Sequence, residues 1–242
     1  MIHPDWPAPA SVKALMTPRA GGVSAAPWNS LNLGDHVGDV PAHVAANREY
    51  LRRQLPAEPG WLRQVHSARV VDLDVTPAPD CEADASVSRQ PGAVCAVLTA
   101  DCLPVLFCDR AGSVVAAAHA GWRGLADGVL EATVAAMGVP PGEILAWMGA
   151  AIGPRKFEVG EDVRDAFITQ HAETHAAFAP QAARGKWLAD IYALARVRLS
   201  HAGVQAVYGG SRCTYSEADT FFSYRRDGVT GRMASVIWLA PA

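Results

Sequence analysis

One stretch, residues 94–125, constrains the fold more than any other part of the 242-residue chain. It contains three short apolar runs, at 94–98, 103–108 and 113–118, and polar or glycine-containing turns separate them. Runs of this length between turn residues are typical of β-strands that are buried on both faces. The stretch therefore predicts three strands of a sheet that other parts of the chain cover on both sides.

Hydrophobic periodicity elsewhere predicts further strands and helices. A helix is predicted over 41–55, with Asp39 as its N-cap, and an amphipathic helix over 187–199. The remaining predictions are helices at 125–137 and 160–171, strands at 12–16, 61–65, 70–75, 144–148, 204–208, 221–224 and 234–239, and a polar surface loop at 76–92. Strands interspersed with helices indicate an α/β fold.

Composition narrows the class of protein. Half of the residues are hydrophobic and no Ser/Gly-rich or charged linker divides them, so we expect a single domain over 1–242. A net charge of −3 with interspersed signs argues against a nucleic-acid-binding protein. No apolar run approaches the roughly 20 residues of a membrane span, and the start lacks the pattern of a signal peptide. Five cysteines without a dense framework favour a reducing cytoplasm.

Cys102, His119 and His66 stand where predicted strands begin or end, and three interpretations of them remain open. All three can be structural. They can form a metal site, since zinc accepts thiolate and imidazole ligands. Alternatively, Cys102 is a nucleophile that His119 activates. Asp101, beside Cys102, could bind a ligand or orient an imidazole, or it could simply cap a tight turn.

Three further features suggest contacts with an anion. Arg48 interrupts the apolar stripe of the predicted helix at 41–55, and a buried guanidinium needs an anionic or carbonyl partner. Gly121 and Arg123 lie between a predicted strand and helix, where free amides favour phosphate. Gly22, in the loop at 19–24, allows close approach of the backbone to a ligand. A structural ion pair and ordinary turns explain the same residues.

Several motifs together resemble the YfiH/laccase-domain family over nearly the whole chain. They are Gln64-Val65-His66, Thr99-Ala100-Asp101-Cys102, the segment 119–124, Ile152-Gly153-Pro154 with Phe157-Glu158-Val159, the segment 222–226 with Thr230-Gly231-Arg232, the loops 19–24 and 32–39, and Asn47-Arg48. The resemblance implies one α/β domain whose mixed β-sheets pack together with helices outside, an αββα arrangement. One departure is Arg155-Lys156, because many relatives carry cysteine directly after Ile-Gly-Pro.

The family was earlier described as polyphenol oxidases or multicopper laccases, and is now described as purine nucleoside phosphorylases with adenosine deaminase activity. The resemblance implies that His66, Cys102 and His119 hold a metal, with Zn²⁺ expected and Cu²⁺ the alternative. Cys102, His119 and Asp101 are the candidates for catalytic residues. Arg48, Arg123, Gly121 and Gly22 are the candidates for substrate and phosphate binding.

The expected partners are phosphate and purine nucleosides, which include adenosine, inosine, guanosine and S-methyl-5′-thioadenosine, and we expect a monomer or weak dimer. Two alternatives stay open: a Cys-His hydrolase or amidase that edits peptidoglycan precursors, and a non-catalytic, metal-dependent interaction protein. The histidine content of the chain does not fit a four-copper laccase. Such an enzyme needs a blue-copper site and a separate multi-histidine cluster, whereas this chain has eight histidines and no His-X-His pair.

Overall fold

The computed structural model describes residues 1–75 and 81–241. In chain order its elements are β1 (Val12–Met16), α1 (Pro41–Arg52), β2 (Pro59–Gly60), β3 (Val70–Asp72), β4 (Ala85–Ser88), β5 (Val94–Thr99), β6 (Leu103–Asp109), β7 (Val115–Ala120), α2 (Trp122–Ala126), α3 (Val129–Met137), β8 (Ile144–Met148), β9 (Glu158–Gly160), α4 (Glu161–Ile168), β10 (Phe178–Pro180), β11 (Lys186–Ala189), α5 (Ile191–His201), β12 (Ala206–Gly209), α6 (Tyr224–Asp227) and β13 (Met233–Leu239). Short 3-10 helices cover Pro141–Glu143 and Ala172–Ala177.

Two large sheets pack face to face. The four-stranded sheet has the order β1-β13-β5-β2, and the six-stranded sheet has the order β12-β8-β6-β7-β4-β3. The core between them includes Cys95 and Val97 of β5, Leu106 and Cys108 of β6, and Ile237 of β13. Every residue of β5, β6 and β7 is buried, which confirms the three strands that the sequence predicted.

Helices cover the outer face of each sheet. Because side chains alternate along a strand, Leu98 of β5 faces outward and packs with Leu51 of α1. Phe107 of β6 likewise faces a second outer layer, where Leu130 of α3 and Leu194 of α5 pack on it. A third, small sheet has the order β10-β11-β9. This αββα layering confirms the predicted fold class.

The helices predicted over 41–55 and 160–171 end earlier, at Arg52 and Ile168. For the other two predicted helices, one residue explains the difference in bounds. The helix predicted over 187–199 begins only at Ile191, because the Asp190 side chain accepts hydrogen bonds from the N–H groups of Tyr192 and Ala193. Residues Lys186–Ala189 form β11 instead. The helix predicted over 125–137 is two helices, because Gly128 adopts a positive φ of 95° between α2 and α3.

Three other predictions are wrong. The strand predicted at 221–224 is absent, because Ser223 caps the short helix α6 by accepting the N–H of Arg226. In the strand predicted at 61–65, Arg63 alone forms a bridge, with Glu82. The polar loop predicted at 76–92 contains the buried strand β4, while its residues 76–80 lie outside the described ranges.

No helix within the described ranges combines the length and hydrophobicity needed to cross a membrane. The five cysteines, all of which lie in those ranges, form no disulfide with one another.

Candidate metal centre and its cleft

His66, Cys102 and His119 come together in the structure. Their potential ligand atoms all lie within 4.8 Å of one another, and Nε2 of His66 is 3.9 Å from Sγ of Cys102. The two imidazole rings meet edge to face, with centroids 4.8 Å apart. This convergence is what a shared ion requires of residues so far apart in sequence. Their role as ligands stays a prediction.

Strand register and one side chain produce this convergence. Strands β6 and β7 are antiparallel, and Leu103 pairs with Ala120, so Cys102 and His119 meet at the same end of the six-stranded sheet. The Gln64 side chain donates to the carbonyl of Leu98 at 2.8 Å and accepts the N–H of Leu98 at 2.7 Å. Gln64 thereby fixes the loop that carries His66 to the end of β5.

The fully buried Asp84 anchors two of the three residues, His119 through its ring and His66 through its backbone. Its Oδ1 accepts a hydrogen bond from Nδ1 of His119 at 2.8 Å and from the backbone N–H of His66 at 3.0 Å. Its Oδ2 accepts the N–H of Ser67 at 2.6 Å and that of Val65 at 3.2 Å. Because Nδ1 of His119 is bonded to a carboxylate, Nε2 is the nitrogen that remains for a metal.

The two neighbouring histidines favour the thiolate form of Cys102, which is the form that binds metals. Burial by itself raises the pKa of the thiol, but attraction to His119 and hydrogen bonds with both histidines outweigh it and lower that pKa to about 6. Burial likewise disfavours the charged form of His119, yet Cys102 and Asp84 raise its pKa to about 9. Near neutral pH these shifts favour a Cys102 thiolate beside a protonated His119. The thiolate is the form that zinc binds, and a metal would have to displace the proton on Nε2 of His119.

Gly121 has no side chain, and this leaves room for the side chains of His66 and Cys102. A Cβ atom at this position would lie 2.8 Å from Cδ2 of His66 and 3.1 Å from Sγ of Cys102. The φ of Gly121 is −63°, so space rather than backbone conformation excludes larger residues here. One thiolate, two imidazoles and a buried carboxylate behind them fit a zinc site with an open coordination position.

A cleft of about 1050 Å³ contains all three candidate ligands. This volume suffices for a small organic substrate. Charged and aromatic side chains also line it, and they are Asp35, His36, Arg48, Glu58, Trp61, Arg63, Tyr224 and Arg232. The cleft therefore combines a candidate metal centre with cations and aromatic rings.

Arg48, which the sequence analysis proposed as a substrate contact, lines this cleft. Its Nε donates to the carbonyl of Leu33 at 3.0 Å, and its NH2 is 3.1 Å from Oδ2 of Asp35. The guanidinium also lies 4.7 Å from the ring centroid of Trp61. Arg48 thus has the ion pair that the structural interpretation expected, in a place where a ligand anion could compete with the exposed Asp35 carboxylate.

The other three predicted site residues do not line the cleft. Asp101, at φ 91°, accepts the hydroxyl of Thr214 at 2.5 Å and the N–H of Arg225 at 2.6 Å, so it connects the turn that contains Thr214 to helix α6. Gly22 lies in a loop whose N–H groups donate to the Ser30 hydroxyl. The exposed Arg123 guanidinium lies 4.4 Å from the ring of its neighbour Trp122.

Sequence reasoning missed two residues of the site. Asp84 lay in a segment predicted to be a surface loop, although the alternation Ala83-Asp84-Ala85-Ser86-Val87-Ser88 is a strand signal with small residues in place of bulky ones. From the sequence, Arg232 was noted only as part of the motif Thr230-Gly231-Arg232. It lines the cleft half-buried, and its NH1 donates to the carbonyls of Thr230 and Gly231 at 3.0 and 3.1 Å. Burial lowers its pKa, while the negative charges of Cys102 and Asp101 oppose that shift.

Known proteins resemble this chain over nearly all of its length. A purine nucleoside phosphorylase of Pseudomonas aeruginosa is 59% identical over 238 residues, which cover 98% of each chain. The Escherichia coli K12 protein named purine nucleoside phosphorylase YfiH is 58% identical over 241 residues, covering 99% of this chain and 98% of that one.

Solved structures share the fold as well. The crystal structure of a Neisseria meningitidis protein superposes with a TM-score of 0.95 at 57% identity, covering 99% of both chains. That of the Bacillus licheniformis protein YfiH gives a TM-score of 0.87 at 33% identity, covering 94% of this chain and 92% of that one. The family model described as multi-copper polyphenol oxidoreductase laccase matches residues 13–240. The chain therefore belongs to this laccase-like family, the family of the YfiH proteins.

Proposed function

We propose that the protein is a purine nucleoside phosphorylase whose substrates are adenosine, inosine, guanosine and S-methyl-5′-thioadenosine, and that it also deaminates adenosine. The observation that carries the proposal is a single cleft that combines the Cys102, His66 and His119 cluster with the cations Arg48 and Arg232. The names of relatives at 59% and 58% identity support it.

For phosphorolysis, the protein must bind phosphate and stabilise the departing base. An oxygen of phosphate bonds to C1′ of the ribose, the bond from C1′ to the purine nitrogen breaks, and its electron pair leaves with the base, which then takes up a proton. The products are ribose 1-phosphate and the free purine. Guanidinium groups suit phosphate because they donate parallel hydrogen bonds to two oxygens. Arg48 and Arg232 are therefore our candidates for phosphate binding, and they would fix it in line with C1′.

The cluster and the aromatic residues serve the purine. Zn²⁺, or Cu²⁺ in its place, would supply Lewis-acid activation of a water molecule or substrate group when the three side chains hold it. Asp84 keeps the imidazole of His119 in the orientation that this requires. Tyr224, which is 60% exposed at the cleft, offers a ring on which a purine can stack.

Incubation with adenosine tests the proposal directly. When phosphate is present, we expect ribose 1-phosphate in an amount equal to adenine plus hypoxanthine, because inosine formed by deamination is itself a substrate. In its absence we expect only inosine and ammonia. Protein from which a chelator has removed the metal is the control. Adenosine that stays intact under all conditions with a metal-loaded protein would contradict the proposal and support a non-catalytic, metal-dependent interaction protein.

A second candidate, the Cys-His hydrolase or amidase acting on peptidoglycan precursors, has one observation in its favour. Asp84 bonds Nδ1 of His119, and the His119 ligand nitrogen lies within 4.8 Å of Cys102 Sγ. This order of carboxylate, imidazole and thiol is that of cysteine hydrolases. The hydrolase needs no metal, so metal dependence of the activity distinguishes the two candidates.

A further inference from the structure

We propose that His171, Glu173 and His201 form a second binding site for a divalent transition-metal ion, outside the cleft. None of the three side chains lines the cleft that contains Cys102. Their potential ligand atoms all lie within 4.8 Å of one another. The site lies in the outer helical layer, where the 3-10 helix Ala172–Ala177 meets the last residue of α5.

The side chains already contact one another in an arrangement that suits a shared ion. Nε2 of His201 pairs with Oε1 of Glu173. The rings of His171 and His201 are stacked, with centroids 4.1 Å apart and planes at 27°. Two imidazoles and one carboxylate are a donor set that zinc, nickel and copper accept, and the Glu173 carboxylate supplies a negative charge to offset that of the ion.

The backbone holds the three residues in place without an ion. The N–H of His171 donates to the carbonyl of Phe167 at 3.0 Å, which extends the end of α4. The carbonyl of His171 accepts the N–H of Thr174 at 3.0 Å and its hydroxyl at 2.6 Å, and Thr174 is fully buried. His201 belongs to the last turn of α5. A site whose ligands stand on fixed backbone loses less conformational entropy on binding.

An ion pair alone gives a poor account of the cluster. The side chains of His201 and Glu173 are 49% and 53% exposed, and ion pairs at such exposure contribute little to stability.

The nitrogen and oxygen donors of the site also predict which divalent metal ions it binds most tightly. Sites with nitrogen and oxygen donors bind Cu²⁺ more tightly than Ni²⁺ or Zn²⁺, and bind Mn²⁺ weakly. Three protein ligands leave coordination positions that water, or a donor from another molecule, can fill. We therefore expect the site to bind Cu²⁺, Ni²⁺ and Zn²⁺ in that general preference, and not to select Mg²⁺ or Ca²⁺, which prefer all-oxygen sites.

Calorimetric titration with Ni²⁺ tests the second site on protein that already carries one equivalent of Zn²⁺. We expect the unaltered chain to bind one further equivalent. His201→Gln and Glu173→Gln should each weaken that binding by at least about tenfold, because changes even to residues behind metal ligands cost roughly 10–100-fold. The matched control is His175→Gln, since His175 is exposed on the same 3-10 helix but outside the cluster.

The control should bind Ni²⁺ as the unaltered chain does. Absence of a further equivalent in the unaltered chain would overturn the proposal. So would unchanged binding in both His201→Gln and Glu173→Gln, or a loss in His175→Gln as large as theirs. The titration does not measure turnover, so its outcome is independent of the proposed phosphorolysis.

Discussion

Oδ1 of Asp84 accepts hydrogen bonds from both His119 and His66, from the ring Nδ1 of the former at 2.8 Å and the backbone N–H of the latter at 3.0 Å. One buried carboxylate thus orients one candidate ligand and holds the loop of another. His66 has a φ of 62°, an unusual conformation for a residue with a side chain, and its bond to Asp84 helps to maintain that conformation. Asp84 is therefore the residue on which the geometry of the centre depends most.

Replacement of Asp84 by asparagine should weaken metal binding. The amide keeps the size of the carboxylate but removes the charge that orients the imidazole of His119, and it brings a donor group toward backbone N–H groups. We expect the metal dissociation constant to rise roughly 10–100-fold. Competition with a chromophoric chelator measures this change.

Asp109→Asn is the matched control for that experiment. Asp109 is also buried and accepts the N–H groups of Ser113 and Val114, but it is the last residue of β6 and lies outside the cluster. Both variants should lower the midpoint of thermal unfolding, whereas only Asp84→Asn should lower metal affinity. Equal metal affinity in the two variants would refute the orienting role of Asp84.

Cys102→Ala should yield a folded protein that is nearly free of metal and inactive. Two imidazoles remain after the change, and they do not complete a three-ligand site. Metal analysis and an activity assay are both needed, because a nucleophile and a ligand each predict lost activity. Cys213→Ala, which removes a half-buried thiol outside the cluster, should keep its metal. Near-stoichiometric metal in an inactive Cys102→Ala protein would favour the Cys-His hydrolase.

Gly121→Ala should displace the ligands without disturbing the backbone. Its added Cβ would lie 2.8 Å from Cδ2 of His66, closer than real contacts allow. We expect reduced metal content and reduced activity in a protein with normal circular dichroism. Gly142→Ala is the control, because a Cβ there meets no atom within 4 Å. If Gly121→Ala retained full metal content, the close packing of the cluster would not limit metal binding.

Arg232→Gln should raise the KM for phosphate by roughly tenfold or more, since a hydrogen bond between charged groups contributes about 1.5–3 kcal/mol. Metal content should stay unchanged. Arg123→Gln is the comparison, because Arg123 is exposed beside Trp122 and does not line the cleft. An increase in KM for Arg123→Gln alone would restore the sequence-based assignment of phosphate binding to that residue.

The sequence predicts the buried strands well because their signal is local. The runs that became β5, β6 and β7 are apolar throughout and end at turn residues, so no distant part of the chain is needed to identify them. The bounds of α5 were harder to predict. Trp187 and Leu188 continue the apolar pattern of the helix, but Asp190 caps it and leaves them in β11.

The candidate metal centre could not be predicted from spacing. His66, Cys102 and His119 meet because of the register between β6 and β7 and because Gln64 and Asp84 hold the loop, and none of these is a local property of the sequence. Resemblance to a known family supplied the grouping that spacing could not. It did not reveal Asp84, because a buried carboxylate between small residues looks like part of a polar loop.

Phosphate-dependent cleavage of inosine tests the central claim most directly, because inosine has no amino group to lose and so isolates phosphorolysis from deamination. With metal-loaded protein and phosphate we expect hypoxanthine and ribose 1-phosphate in equal amounts, and neither product when phosphate or the metal is removed. Intact inosine, or hypoxanthine released with free ribose at a rate that phosphate does not change, would contradict the account.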